Sequence, residues 1–517
     1  MSMIAKRRDV WLLEADENGW SDTMVWYAKA VAHLQTRPLA QRTSWRFLAA
    51  MHNFDPDMWT AFGYLSDDDT PPDESDIKRF WAKCEHWNWY FLPWHRGYLS
   101  AFERIVRAAI VELGGPDGWA LPYWNYNNKD LPHPRRIPPC FLQPTLPDGQ
   151  PNALHVHAGT VVQRFGLDAQ GNMMNVDEER ISDRKALLEP FFVGEGHGGS
   201  GGFGGVPGDI GEVEKSPHNH VHTRIGGVSP AGLMSATETA GLDPIFWLHH
   251  ANIDRLWEVW LRRDPEHENP GEKEWLKGPS PPFAMPGVDG SVLEFNPEEM
   301  RDTRAPWLDY EYEDVTDPLS GARKMERRLL ALGVPADRLI EFSETEKAMP
   351  RRPTIELLGA NDRVLHLEGL ETTTSVEIDG VTSRKLARSF DSLRVLGDAP
   401  REPDRVFLNL ENVRGRRDAM VLDVYLDLPD GADPAAHPEA RVGSLSLFGL
   451  RMASRIDAPH GGNGLNLRIE ITDYIDANGL DPERDLDQLK VRIVAEAPIE
   501  PEDEITIGRI SLYRQGD

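Results

Sequence analysis

A change in the spacing of apolar residues near position 350 constrains this 517-residue chain more than any other feature. Up to about residue 265 the spacing is mostly that of helices. One stretch runs from Thr43 through Trp45, Phe47, Leu48 and Met51 into His52. A second runs from Pro93 to about Leu113, with proline in the first turn, where its missing N–H costs nothing. A third runs from Asp243 to about Arg263, with Asp243 as N-cap and Pro244 as first helical residue. After about residue 350 short runs alternate with period two: Val406–Leu410, Met420–Leu428, Val442–Phe448, Leu465–Ile471, Leu489–Val494 and Ile505–Tyr513. That pattern predicts an all-β domain, a sandwich, behind a mainly α domain. The link is Lys347–Pro353 (KAMPRRP), so the expected domains are residues 1–347 and 348–517.

Between the helices lie long Pro- and Gly-rich stretches, of which Gly194–Gly211 has ten glycines in eighteen residues. Gly199–Gly204 matches GxGxxG, but no strand precedes it and no helix follows. A flexible surface loop is the expectation there, not a dinucleotide site.

Seventeen histidines are present, and they cluster. His52, His86 and His95 form one group; His218, His220, His222, His249 and His250 form another. His218 and His222, four apart, project from one face of a helix and can share a metal. His86 and His95 are nine apart, and Pro93 breaks the chain between them. Asp254, one turn beyond His250, can hold the ring or adjacent backbone in place. Two three-histidine sets without an evident bridging carboxylate favour copper over zinc. Cys84 and Cys140 are the only cysteines, which excludes a disulfide framework and a cysteine-built zinc site. The net charge of −28 argues against nucleic acid or an anionic membrane as partner. No apolar run approaches spanning length, and Glu14, Asp16 and Glu17 fall where a signal peptide needs its apolar core. A cytoplasmic location is expected, with carrier-assisted export left open.

These residues carry a resemblance. His218-Asn219-His220-Val221-His222 with Gly226-Gly227, then DPIFWLHHANIDRLW at 243–257, resembles the second copper motif of tyrosinases, catechol oxidases and molluscan haemocyanins; FLPWHRGYLSAFE at 91–103 resembles the first. It is strong over roughly residues 40–315. It implies a helix bundle around a dicopper site, with His52, His86 and His95 on one copper ion (CuA) and His218, His222 and His250 on the other (CuB). Cys84 has the spacing at which fungal and molluscan members join a cysteine to the second CuA histidine, here His86. Tyr310-Glu311-Tyr312 looks like the Tyr-x-Tyr motif that closes the catalytic domain. Gly211, Glu214 and Pro217 resemble the plant-type approach, in which Glu214 and Asn219 anchor a water that can take the proton of a phenol. Phe246 is a candidate for packing against the substrate ring. Thr237 falls at the gate over CuA, and His249 beside the pocket. The β domain resembles, more loosely, the sandwich behind plant and some bacterial copper domains, which in that family often shields the site; an oligomer interface is the other role expected of it.

The implied activity is ortho-hydroxylation of monophenols and oxidation of o-diphenols to o-quinones, with dioxygen and two copper ions. The alternatives are a strict catechol oxidase, an o-aminophenol oxidase or, more remotely, a haemocyanin-like oxygen carrier. A dinuclear zinc hydrolase would need bridging carboxylates. No role is assigned to His155, His157 or His197.

Overall fold

The computed structural model describes residues 4–158, 161–162, 164–174, 178–319, 323–334, 353–361, 363–394, 404–457, 461–478 and 488–516. The chain forms two compact units. The first comprises residues 1–187 and 213–317, the second residues 188–212 and 318–517. The division thus falls at Asp317/Pro318, and a segment from the middle of the helical half joins the second unit. The expected boundary at 347/348 lies outside the described residues.

The first unit is built on helices α1 (Asp22–Gln35), α2 (Trp45–His52), α3 (Phe91–Glu112), α4 (His220–Gly226) and α5 (Ile245–Arg263). Ser44 caps α2 by accepting from the Phe47 N–H at 3.1 Å. At the start of α5 the Asp243 carboxylate accepts from the Ile245 N–H at 3.1 Å and is held by Arg164. Aromatic residues fill the space between the helices. Trp247 of α5 stacks on Phe102 of α3 with centroids 3.5 Å apart, and Tyr98 lies 4.7 Å from the same indole. Gly97 lets α3 approach Phe295, because a Cβ there would lie 2.2 Å from the ring. These contacts fix α3 and α5 side by side, which brings His95 and His250 face to face.

The ends of the first unit are tied together. Strand β1 (Ala5–Arg7) pairs in parallel with β2 (Tyr310–Tyr312). Arg7, Tyr310 and Tyr312 all turn onto Asp254 of α5. Among the described residues no helix is long and apolar enough to cross a membrane.

The framework of the second unit is a β-sheet, as the alternation predicts, but the unit is not all-β, since it also carries helices at Lys324–Ala331, Gly380–Arg394, Leu450–Ser454 and Thr472–Asn478. Its strands are β3 (Thr354–Ala360), β4 (Leu365–His366), β5 (Gly369–Ile378), β6 (Arg405–Arg414), β7 (Val421–Leu426), β8 (Arg441–Ser446), β9 (Leu465–Glu470), β10 (Gln488–Ile499) and β11 (Thr506–Gly516). They form one sheet in the order β8-β7-β10-β5-β3-β11-β6-β9, with β4 on β11. The two end strands pack on each other: a Cβ on Gly443 of β8 would meet Ile469 of β9 at 2.8 Å. The sandwich is therefore a single sheet curled almost to a barrel. The glycine-rich segment is no flexible surface loop, since Ser200 through Val206 are buried within this unit.

Candidate metal centre

Six histidines, each at most 2% exposed, converge in the first unit. His52 ends α2, His95 lies in the first turns of α3, His222 is on α4 and His250 on α5. His86 stands in the irregular stretch before α3. His218 lies in the helical turn Glu214–Asn219, where Ser216 is extended (φ −150°, ψ 127°).

Five of the six rings are fixed through Nδ1. His52 donates to Thr237 O (2.7 Å), His86 to Glu214 Oε1 (3.1 Å), His95 to Phe91 O (2.7 Å), His218 to Asn219 Oδ1 (2.8 Å) and His222 to Met234 O (3.0 Å). An oxygen of a carbonyl or carboxylate cannot donate, so each Nδ1 carries the proton and each Nε2 presents a bare lone pair. Those lone pairs face one another. His86 Nε2 and His52 Nε2 are 3.1 Å apart; His250 Nε2 lies 3.3 Å from His218 Nε2 and 3.2 Å from His222 Nε2. His95 Nε2 is buried with no hydrogen-bond partner. Facing lone pairs repel unless a cation lies between them. An ion with N bonds of about 2.0–2.1 Å in tetrahedral array separates its ligand atoms by about 3.3–3.4 Å. The donor set fits a metal that prefers imidazole.

Burial removes the alternative of a proton. It pushes His52 down to about 4, and burial together with neighbouring histidines holds His86, His95, His218, His222 and His250 well below the ordinary value.

The second group is the tighter one. The ligand atoms of His218, His222, His249 and His250 lie within 4.8 Å of one another, whereas His52 groups with Cys84 and His86 on one side and with His95 and His250 on the other. His95 and His250 stack at 4.6 Å between the two sets. Cys84 is buried and in no disulfide, and burial pushes its thiol well above the usual range. His249, expected beside the pocket, is fully buried within the second group and stacks on His218 at 5.4 Å.

Other expected residues occupy less open positions than the motifs suggest. Glu214 accepts from His86 Nδ1 and from the Trp87 N–H (2.9 Å), and the latter bond supports the positive φ of Trp87 (54°). Asn219 holds the His218 ring. Thr237 is fully buried: its carbonyl takes the His52 ring, while its hydroxyl donates to Glu238 (2.9 Å) and accepts from Asn53 (3.1 Å). It serves His52 from behind. Phe246 is also fully buried, 4.1 Å from His250 and 4.9 Å from His52, so it packs against rings of both groups.

The Asp254 carboxylate is hydrogen-bonded to arginines and tyrosines rather than to a histidine ring. It accepts from Arg96 Nε (2.6 Å), Tyr310 OH (2.5 Å), Tyr312 OH (2.6 Å) and Arg7 Nη1 (3.4 Å). Burial alone would raise its carboxyl, but Arg96 and Arg7 outweigh that and hold it below the ordinary value. Sequence reasoning missed Met234 and Phe91 as ring acceptors, and nothing in a side-chain pattern marks a backbone carbonyl.

The common central domain of tyrosinase matches residues 42–263, and a domain family of unknown function matches residues 354–515. Tyrosinase HcTyr1 of Hahella sp. (strain CCB-MM4) is 30% identical over 516 residues, 96% of this chain and 97% of that protein. A chloroplast polyphenol oxidase A1 of Vicia faba is 27% identical over 290 residues, 53% of this chain and 44% of its own. Among solved structures, latent apple tyrosinase has a TM-score of 0.55 at 21% identity, over 99% of this chain and 97% of that one, a likeness of fold. The chain therefore belongs to the tyrosinase family of dioxygen-using phenol oxidases, with two copper ions as its cofactor.

Proposed function

We propose that His52, His86 and His95 hold one copper ion and His218, His222 and His250 the other, and that the enzyme hydroxylates monophenols as well as oxidising o-diphenols. Bound copper supplies the binding of dioxygen and the two-electron oxidation of the ring. The chain's own part is to hold the imidazoles and manage a proton. A monophenol arrives with its proton on, so hydroxylation calls for a base, which a more acidic diphenol can better dispense with.

The buried carboxylate of Glu214, hydrogen-bonded to the His86 ring, carries this reading. An ionised carboxylate has about four lone-pair sites. The bonds of Glu214 to the His86 ring (3.1 Å) and the Trp87 N–H (2.9 Å) place this carboxylate beside a ring of the first histidine group, where it can serve as the base for a phenol, directly or through water. Asn219, bonded to the His218 ring, gives the second set a matching fixed edge. We further propose a Cys84–His86 thioether, supported by the grouping of Cys84 with the His86 ligand atoms.

The test compares tyrosine, its o-diphenol and an o-aminophenol on wild type and on Glu214→Gln. A loss in kcat/KM at least tenfold larger on tyrosine than on the diphenol is expected. Equal losses would leave Glu214 as a ring support alone. A wild type inert towards tyrosine would make the enzyme a diphenol or o-aminophenol oxidase.

A further inference from the structure

Residues 188–212 sit in sequence between the two histidine groups, yet they fold into the C-terminal unit. They are built into it. Arg468 of β9, 2% exposed, donates to Gly196 O (3.2 Å), Ile210 O (3.1 Å) and the Asp209 carboxylate (3.0 Å). Gln515 of β11 accepts from the Ser200 N–H at 2.9 Å, and Tyr513 OH meets His197 Nε2 at 2.9 Å. Arg405 of β6 reaches Glu189 at 3.4 Å, and Ser200 donates to that same carboxylate at 2.6 Å.

The glycines explain how a backbone lies so close to a sheet. A Cβ on Gly198 would meet the Tyr513 ring at 2.7 Å, one on Gly199 would meet Ile355 of β3 at 2.7 Å, and one on Gly201 would meet Ile210 O at 2.4 Å and Arg468 at 2.5 Å. The segment also closes on itself, with the Glu212 N–H donating to Gly202 O at 2.9 Å. A buried arginine with three acceptors on one segment is a specific fastening, because breaking it leaves an uncompensated buried charge.

We propose that the face formed by β3, β6, β9 and β11 is a docking surface whose occupant is residues 188–212 of the same chain, and that this interlock retains the C-terminal domain after the connecting chain is cut. Both ends of the inserted segment continue into the catalytic unit, at Leu187 and Val213. A cut between Val334 and Pro353 falls inside the second unit, so the inserted segment stays covalently on the N-terminal fragment while the strands it packs against lie on the C-terminal one.

The test uses the full chain with a site-specific protease sequence introduced at Lys347–Arg351. After complete cleavage, shown on a denaturing gel, native mass and gel filtration are expected to give one species of the intact 58.3 kDa plus the insert. Free migration of the C-terminal fragment without denaturant overturns the proposal. Release with rising urea is then compared in wild type, Arg468→Ala and Gly201→Ala. A midpoint lower by about 1 M is expected in the variants. Unchanged midpoints in both would mean that the fragment is retained elsewhere, which also overturns it. Should neither variant fold, hydrogen exchange on the cut wild type decides: the amides of Ser200, Phe203 and Glu212 are expected to exchange at least 100-fold more slowly than free peptide, and free-peptide rates refute the interlock. None of these readouts depends on copper or activity.

Discussion

Asp254→Asn is expected to destabilise the catalytic unit by about 3–5 kcal/mol. The carboxylate takes four donors, from Arg96, Tyr310, Tyr312 and Arg7. At roughly 1.5–3 kcal/mol for each charge-assisted bond the sum would be about 6–12 kcal/mol. That sum overcounts. Arg7 keeps Glu103 at 2.7 Å, and Arg96 keeps Met300 O at 2.8 Å and Glu258 at 3.1 Å. The asparagine also still accepts through one oxygen. What is lost is one buried charge and the acceptor facing two phenols, now opposed by an amide N–H. The expected fall in Tm is about 5–8 °C for a unit of this size. The sign of the pH dependence follows from the depressed carboxyl: its stabilisation is full above the unfolded value of about 3.9 and is lost as pH falls through the lower folded value. Urea unfolding of copper-free wild type and variant from pH 8 to pH 3 measures both. The difference is expected to be constant from pH 8 to about 5 and to shrink below about 4. A difference under about 1 kcal/mol at pH 7 would refute the claim that this carboxylate ties the unit's ends to α5.

Three further outcomes are expected. His222→Ala loses the second copper ion, so bound copper falls to about half by elemental analysis, whereas His249→Ala keeps about two per chain; the reverse result would exchange their roles. The mature protein is expected to weigh about two hydrogens less than its sequence, a deficit absent from Cys84→Ser; a Cys84 that alkylates fully after denaturation removes the thioether. The copper-free protein is expected to lose stability as pH falls from about 6.5, the unfolded histidine value, towards folded values such as the value of about 4 for His52. Calorimetry showing a flat profile from pH 7 to 5 would contradict the buried, neutral state of these rings.

The histidines were legible because metal ligation demands a residue type, and helical spacing says which of them can meet. His218 and His222 meet as their spacing implies, although the turn between them is irregular at Ser216. The partners that aim the rings were less legible. Thr237 reads as a gate from its distance to His250; that its carbonyl also holds the His52 ring was not legible, since every residue has a carbonyl. In the second unit, β6 and β11 announce themselves by apolar alternation. β5 (GLETTTSVEI) does not, since much of it is exposed and its threonines give no contrast between faces. The glycine run departs from the expected flexible loop for a physical reason: glycine content signals freedom in solution, yet it equally permits a backbone to lie against Tyr513 and Ile355.

Three of the five ring anchors, Thr237 O, Phe91 O and Met234 O, belong to the main chain. No point mutation deletes them, so drift in the surrounding sequence leaves those imidazoles aimed as long as the local fold survives. Glu214 and Asn219 are the two anchors that a single codon can alter, one on each histidine group. Heritable variation in how these rings are held is thereby channelled to two positions, and divergence between enzymes of different phenol preference has, in this scaffold, a short list of places to begin.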